Sequence, residues 1–230
     1  MQRSGSGAAG TIHRELGTPV GGSLRYCVAE GYLSAAPPVW LPQKGPARER
    51  WLTRSEAASL LWAARQEPQA RLYLPLFVLI GLYTGARKEA ILSLQWQPNT
   101  AGGWIDLERG EIDFRIPGQQ TNKRRSRIPI PRRLLIFLWF ARRRTRQYVI
   151  EDGNRRVLNL KKSFATACRR AGLTKVTPHT LRHTAVSWLV QAGVPLWEVG
   201  QFVGLTTDTI ERVYGHMASD RFRRVLDAQR

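Results

Sequence analysis

The chain has 230 residues, and its 36 Lys and Arg against 17 Asp and Glu give a formal net charge of +19 at pH 7. This excess favours a polyanionic partner, with nucleic acid ahead of an anionic membrane surface. The strongest apolar run, residues 72–82, is about half of the ~20 residues that a membrane-spanning helix needs, so a membrane span is excluded. Two cysteines cannot form a disulfide framework and no signal segment is visible, so we expect a cytoplasmic protein that associates with the nucleoid when it is on DNA.

The first fifth of the chain differs in composition from the rest. Residues 1–10 are rich in Gly, Ser and Ala, and they predict a disordered tail. Residues 11–33 predict helical pieces, too short to bury a core, that are broken at Gly17, Pro19, Gly21 and Gly22. Residues 34–49 are rich in proline and predict an extended linker, so the main domain is expected at 50–230.

The main domain opens with clear helix signals. Thr53 and Glu56 have the spacing of a capping box, which predicts the start of a first helix. A second, apolar helix over 72–83 is expected to end at Gly85, and a third begins near Lys88. Arg87 is therefore predicted to lie at a helix junction.

The periodicity changes to two between residues 103 and 130. Segments at 104–107, 112–116 and 127–130 alternate apolar and polar residues and predict a small antiparallel sheet of about three strands. The connection at 117–126 reads PGQQTNKRRS, which predicts a flexible basic loop suited to a DNA backbone.

The C-terminal half predicts helices almost throughout. They are expected to begin at Pro131, to cover 159–171, 178–192 and 195–203, and to run through Tyr214. The run LLIFLWF at 134–140 is apolar on every side, which predicts a helix that is buried or pressed against another element and belongs to the core. The expected fold class is α+β, mainly helical, with the small sheet packed on a helical bundle.

Four separated motifs point to phosphate chemistry. His179 and Arg182 lie three residues apart in HTLRH, so one helix face could direct both side chains at one phosphate, although this pair alone is weak evidence. TGAR ends in Arg87, the basic loop follows it, and Tyr214 lies in ERVYGHM after HTLRH. Taken together, these motifs resemble the catalytic domain of phage integrases and related tyrosine recombinases, from about residue 50 to the C-terminus.

The resemblance implies a role for each motif. Tyr214 would attack phosphorus and form a 3′-phosphotyrosine that conserves the energy of the DNA bond. Arg87 and Arg182 would bind the non-bridging oxygens of the phosphate, and forked guanidinium groups suit that task. His179 would be the acid/base, because an imidazole with a pKa near ~6.5 can take and return a proton. Lys123 in the basic loop would be the general acid.

The resemblance also implies the partners. Double-stranded DNA is the substrate, and four protomers are expected to assemble on it from monomers. The cations expected to contact the DNA backbone are Arg124, Arg125, Arg127, Arg142 and Arg143. No cofactor and no metal are expected, since phosphotyrosine stores its own energy and the sequence has no nucleotide-binding motif.

The chain departs from the family pattern at three places. The family lysine would fall on Thr121 instead of Lys123, and Leu205 stands where the family usually has His. The family's Glu after the first Arg is Ala90 here, with Glu89 one place earlier. Because leucine cannot donate a hydrogen bond, the change at Leu205 affects phosphate binding directly.

Several alternatives remain open. A catalytically impaired, DNA-binding remnant would account for Leu205 and the short N-terminal region, and a type IB topoisomerase uses nearly the same residues. Tyr214 could be an ordinary aromatic residue on an amphipathic helix, and the arginine runs could be solvated charge. Zinc ligation by His179, His183 and His216 is less favoured, because no carboxylate or cysteine set accompanies them.

Overall fold

The computed structural model describes residues 9, 11–43, 50–118 and 126–217. The chain divides into two compact units, residues 1–48 and 49–230. Apart from Ala9, the predicted tail at residues 1–10 lies outside the described residues.

The first unit contains one continuous helical stretch. A π-helical turn at His13–Gly17 leads directly into α1, Thr18–Ala29. The breaks predicted at Gly21 and Gly22 are wrong, because α1 runs through both. Pro19 lies in the first turn of α1, where its missing N–H removes no helical hydrogen bond.

The second unit begins with the predicted capping box. Thr53 Oγ1 accepts a hydrogen bond from Glu56 N at 3.2 Å, and the Glu56 carboxylate accepts one from Thr53 N at 2.9 Å. These two bonds satisfy N–H groups at the start of α2, Arg54–Arg65. The first helix is therefore confirmed.

Helix α3, Leu74–Thr84, is the centre of the fold. It is buried along almost its whole length, which its uniformly apolar sequence explains. It packs so closely against α7, Pro178–Gln191, that a Cβ on Gly81 would lie 2.9 Å from Leu181 Cδ1. The helix ends at Gly85, whose φ of +62° is in the left-handed region that glycine adopts without strain.

The predicted sheet is present with shorter strands. Strands β1 (Trp104–Asp106), β2 (Glu111–Asp113) and β3 (Arg127–Pro129) pair antiparallel in that order. Ile105, Ile112 and Ile128 lie opposite one another in the register, and all three are buried in the main core with α3. The α+β, mainly helical fold class is therefore confirmed, with the sheet packed on the helices.

Helix α5, Arg132–Arg142, is not fully buried but packs against another element, the second of the two arrangements predicted. Only Leu134 and Leu138 are buried in it. Ile136, Trp139 and Phe140 keep 58%, 50% and 53% of their surface exposed. The helix packs along one face on α3, so the apolar residues on its other face remain at the surface.

The remaining elements follow in chain order. They are α4 (Lys88–Leu92), a short hairpin of β4 (Glu151–Asp152) and β5 (Arg155–Arg156), α6 (Lys161–Arg170), α7 (Pro178–Gln191), α8 (Leu196–Val203), α9 (Thr207–Tyr214) and a 3-10 turn (Gly215–Met217). The hairpin was not predicted. Helices α7, α8 and α9 enclose a second, smaller core, which consists of Val186, Val190, Val199, Val203, Ile210 and Tyr214. Within the described ranges, no helix is long and apolar enough to cross a membrane.

Candidate active site

Arg182 is a buried cation that joins the ends of two helices. Only 4% of its surface is exposed. Its Nη1 donates to Gly85 O at 2.6 Å and its Nη2 donates to Gly204 O at 3.2 Å. Gly85 and Gly204 are the left-handed residues that end α3 and α8. Because the C-terminus of a helix carries partial negative charge, both carbonyls suit a guanidinium, and together they fix its position.

Arg87, His179 and Arg182 line one cavity. Its volume is about 270 Å³. Arg87 is the residue immediately before α4, and His179 and Arg182 lie in the first two turns of α7. The other lining residues are Thr84, Ala86, Lys88, Glu89, Ala90, Phe114, Ser126, Phe202 and Val203. The fold thus brings together three of the predicted site residues from segments far apart in the sequence.

The cavity is strongly cationic. Burial, and next the charge of Arg87, lower the pKa of Arg182 to about 10. Burial lowers the pKa of His179 as well, and the charges of Arg182 and Arg87 lower it further. Both arginines are therefore charged at neutral pH while His179 is neutral. A bound phosphate would relieve the repulsion between the two guanidinium groups.

Tyr214 lies beside this cavity, in the second core. It is the last residue of α9, and 5% of its surface is exposed. Its hydroxyl shares a hydrogen bond with His183 Nδ1. Tyr214 is not among the described residues that line the cavity. A negative charge on Tyr214 nevertheless raises the pKa of Arg182, so the two side chains are within electrostatic reach.

His183 links the nucleophile candidate to the cavity. Its ring packs edge to face on that of His179, with ring centroids 4.7 Å apart. The centroids of the His183 and Tyr214 rings are 5.8 Å apart. The sequence motifs assign no catalytic role to His183. Its position is nevertheless predictable from the spacing. Residues four apart on a helix share a face, so His183 is expected to lie beside His179.

The predicted DNA-contacting residues are only partly described. Lys123, Arg124 and Arg125 lie outside the described residues, as does Thr121. Arg127 Nε donates to a Glu111 carboxylate oxygen at 2.9 Å, so a DNA phosphate would compete with that ion pair.

Two further cations predicted to contact DNA lie at the end of α5. Arg142 and Arg143 are exposed there, and the guanidinium of Arg142 lies 5.8 Å from the centroid of the Trp96 ring. Both side chains are accessible to a DNA backbone.

Two of the three departures from the family pattern lie among the described residues. Leu205 follows Gly204 and lines a separate cavity of about 500 Å³ together with Trp197. Glu89 forms an ion pair with Lys88 at 2.9 Å, and Ala90 is buried. In the described part of the chain, no three His, Cys, Asp or Glu side chains group in a way that could hold a metal ion.

The fold is that of tyrosine recombinase catalytic domains. The crystal structure of XerA recombinase superimposes with a TM-score of 0.59 at 20% identity, covering 82% of this chain and 67% of that one. The catalytic domain of bacteriophage HP1 integrase gives 0.56 at 22% identity, covering 77% and 93%.

The sequence itself identifies the family. The chain belongs to the phage integrase family, whose model matches residues 50–221. The integrase of Salmonella phage P22 is 30% identical over 200 residues, which cover 81% of this chain and 48% of the relative. An integrase of Streptomyces ambofaciens is 26% identical over 216 residues, covering 76% and 51%. The chain thus spans about half the length of these two relatives.

Proposed function

We propose that the chain cleaves and rejoins DNA strands through a 3′-phosphotyrosine on Tyr214, as a site-specific recombinase of a prophage or other mobile element. The observation that carries the proposal is the buried guanidinium of Arg182, which is fixed by two helix ends and shares one cavity with Arg87 and His179. The similarity to the phage P22 integrase supports the mobile-element setting.

The two arginines stabilise the negative charge that develops on the phosphate oxygens. Attack by Tyr214 adds negative charge to the non-bridging oxygens of the phosphate. Arg182 uses two of its five N–H donors on Gly85 and Gly204. Because the guanidinium is fixed before the substrate arrives, little reorganisation is needed in the transition state.

His179 and Lys123 complete the proposed chemistry. A neutral His179 in the cavity can accept a hydrogen bond or a proton beside the phosphate, and its lowered pKa keeps it neutral before DNA binds. Lys123 is proposed as the acid that protonates the departing 5′ oxygen. It lies outside the described residues.

The proposed partner is double-stranded DNA. The net charge of +19 and the exposed Arg142 and Arg143 favour binding to its backbone. Since each site cuts one strand, exchange between two duplexes needs four protomers, and we propose that monomers assemble as a tetramer on DNA. Residues 11–33 are proposed to correspond to the last helix of a core-binding domain, and residues 34–49 to a linker.

Capture of the covalent adduct tests the proposal. The substrate is a pool of duplexes with a randomised core, nicked so that the cleaved end is lost and religation fails. Wild-type protein should form an adduct that survives a denaturing gel, and Tyr214→Phe should form none. Tyr73→Phe, at a tyrosine that immediately precedes α3 and does not line the cavity, is the matched control and should behave like wild type.

A binding-only function is the alternative that the structure itself favours at two points. Leu205 offers no hydrogen-bond donor, and Tyr214 is buried. DNA binding without any adduct from the wild-type chain would support this alternative and refute cleavage. Relaxation of supercoiled DNA without recombinant products would instead indicate a type IB topoisomerase.

A further inference from the structure

We propose that His183 is the base that takes the phenolic proton of Tyr214 during strand cleavage. The inference deepens the proposed function and rests on it. It also separates two tasks that the sequence combined in one histidine, because His179 faces the cavity whereas His183 faces the nucleophile.

The contact between the two side chains carries the proposal. A phenol with a pKa near ~10 is a weak nucleophile at neutral pH, so the proton must leave as the oxygen attacks. A general base has to lie within hydrogen-bond reach of the proton that it removes. His183 Nδ1 is already hydrogen-bonded to the Tyr214 hydroxyl. The half-buried position of His183 keeps much of the bulk water away from this contact.

The proton and electron balance of this step is simple. The O–H bond of Tyr214 breaks as an N–H bond forms on His183 Nδ1. The phenolic oxygen bonds to phosphorus, the bond from phosphorus to the 5′ oxygen breaks, and the ammonium of Lys123 gives that oxygen its proton. In religation the 5′ hydroxyl attacks phosphorus and gives its proton to the neutral amine of Lys123, the bond from phosphorus to the phenolic oxygen breaks, and the imidazolium of His183 returns its proton to that oxygen.

The surroundings explain why the proton moves only during the reaction. The ring of His183 packs against that of His179, which lines the cavity together with Arg87 and Arg182, so a positive charge on His183 would add to a cationic site until a phosphate is bound. The phosphate brings negative charge that increases in the transition state. That charge stabilises the imidazolium when it is needed.

Two substitutions separate proton transfer from positioning. His183→Asn keeps an acceptor oxygen near the place of Nδ1 but cannot take a proton, whereas His183→Ala removes both properties. His216→Gln, at an exposed histidine two residues after Tyr214, is the matched control. Thermal unfolding and DNA binding establish that each variant is folded.

The rate measurement is single-turnover cleavage of one nicked duplex recovered from the randomised pool. We expect both His183 variants to be at least about 100-fold slower than wild type, the usual contribution of general base catalysis. Wild-type speed in His183→Asn would overturn the proposal and leave His183 as a positioning residue. Faster cleavage in His183→Ala would also overturn it, because His183 would then be restraining the tyrosine.

A sulfur leaving group distinguishes base from acid. In the same duplex made with a 5′-bridging phosphorothiolate, the leaving group needs no proton, so a defect in the general acid disappears. The His183 variants should remain slow on this substrate, while Lys123→Ala should recover. Recovery of the His183 variants would assign His183 to the acid and refute the proposal.

A measurement without DNA tests the base role of His183 separately from strand cleavage. Nitrogen-15 NMR should show His183 with its proton on Nε2 and with Nδ1 accepting from Tyr214, and Tyr214→Phe should shift the Nδ1 signal. A proton on Nδ1 would exclude the base role even if strand cleavage is confirmed. If the wild-type chain forms no adduct, the proposed function fails first and the base role fails with it.

Discussion

Replacement of Arg182 by lysine tests whether the two helix-end carbonyls fix the cationic site. Lysine keeps the charge but cannot reach Gly85 O and Gly204 O together. A hydrogen bond to a charged group contributes roughly 1.5–3 kcal/mol, so the loss of one bond and the weakening of the other should lower the free energy of unfolding by about 2–4 kcal/mol. For a domain of this size that corresponds to a fall of about 5–15 °C in the melting temperature.

Activity should fall with stability in this variant. The misplaced cation no longer matches the transition state, and the loss of one such donor typically slows a reaction about 10²–10³-fold. The measurements are urea unfolding and single-turnover adduct formation, with Arg169→Lys on the exposed end of α6 as control. If Arg182→Lys changes stability by no more than the ~0.5 kcal/mol expected of a surface site, the two carbonyls do not hold the guanidinium and the reasoning is refuted.

Three further predictions concern the same domain. Leu205→His should speed adduct formation about 100-fold, because it supplies the hydrogen-bond donor that the family usually has at this position. If the rate is unchanged and equal to that of Leu205→Met, the side chain at position 205 does not reach the phosphate. Thr184→Val should lower the free energy of unfolding, measured with urea, by about 1–3 kcal/mol. Thr184 Oγ1 accepts a hydrogen bond from Leu52 N at 2.9 Å, and valine would leave that N–H unpaired. A loss no larger than that of Thr174→Val, at an exposed site, would contradict this. The pKa of His179 measured by NMR should lie below its ordinary value without DNA, because burial and the two arginines lower it, and should rise when DNA binds. DNA affinity should therefore increase as the pH falls through that range, and a pKa that does not move would place the phosphate elsewhere.

Local signals explain what the sequence predicts well. The capping box of Thr53 and Glu56 involves only four residues, and Gly85 marks a helix end by its own conformational freedom. The three-residue spacing of His179 and Arg182 places both on one helix face without any knowledge of the fold. The alternation around Ile112 likewise identifies a buried strand position.

Features that depend on tertiary contacts are not predictable in this way. The apolar run in α5 has no polar face, so the sequence pattern does not indicate which face packs on the core. It therefore does not predict that Trp139 and Phe140 remain exposed. Strands β4 and β5 have two residues each, too few to show a period. The contact between Tyr214 and His183 depends on how α8 and α9 fold back on α7, and no local pattern encodes that path.

The repulsion between Arg87 and Arg182 opposes folding stability while it prepares the cavity for an anion. A neutral side chain at position 87 would remove one cause of the lowered pKa of Arg182, and the folded state would hold its buried cation at smaller cost. A directed-evolution experiment that selects only for heat resistance would therefore not protect Arg87, and variants that lose it would lose part of the phosphate site. Thermostable forms of this domain have to be selected for strand cleavage and heat resistance together.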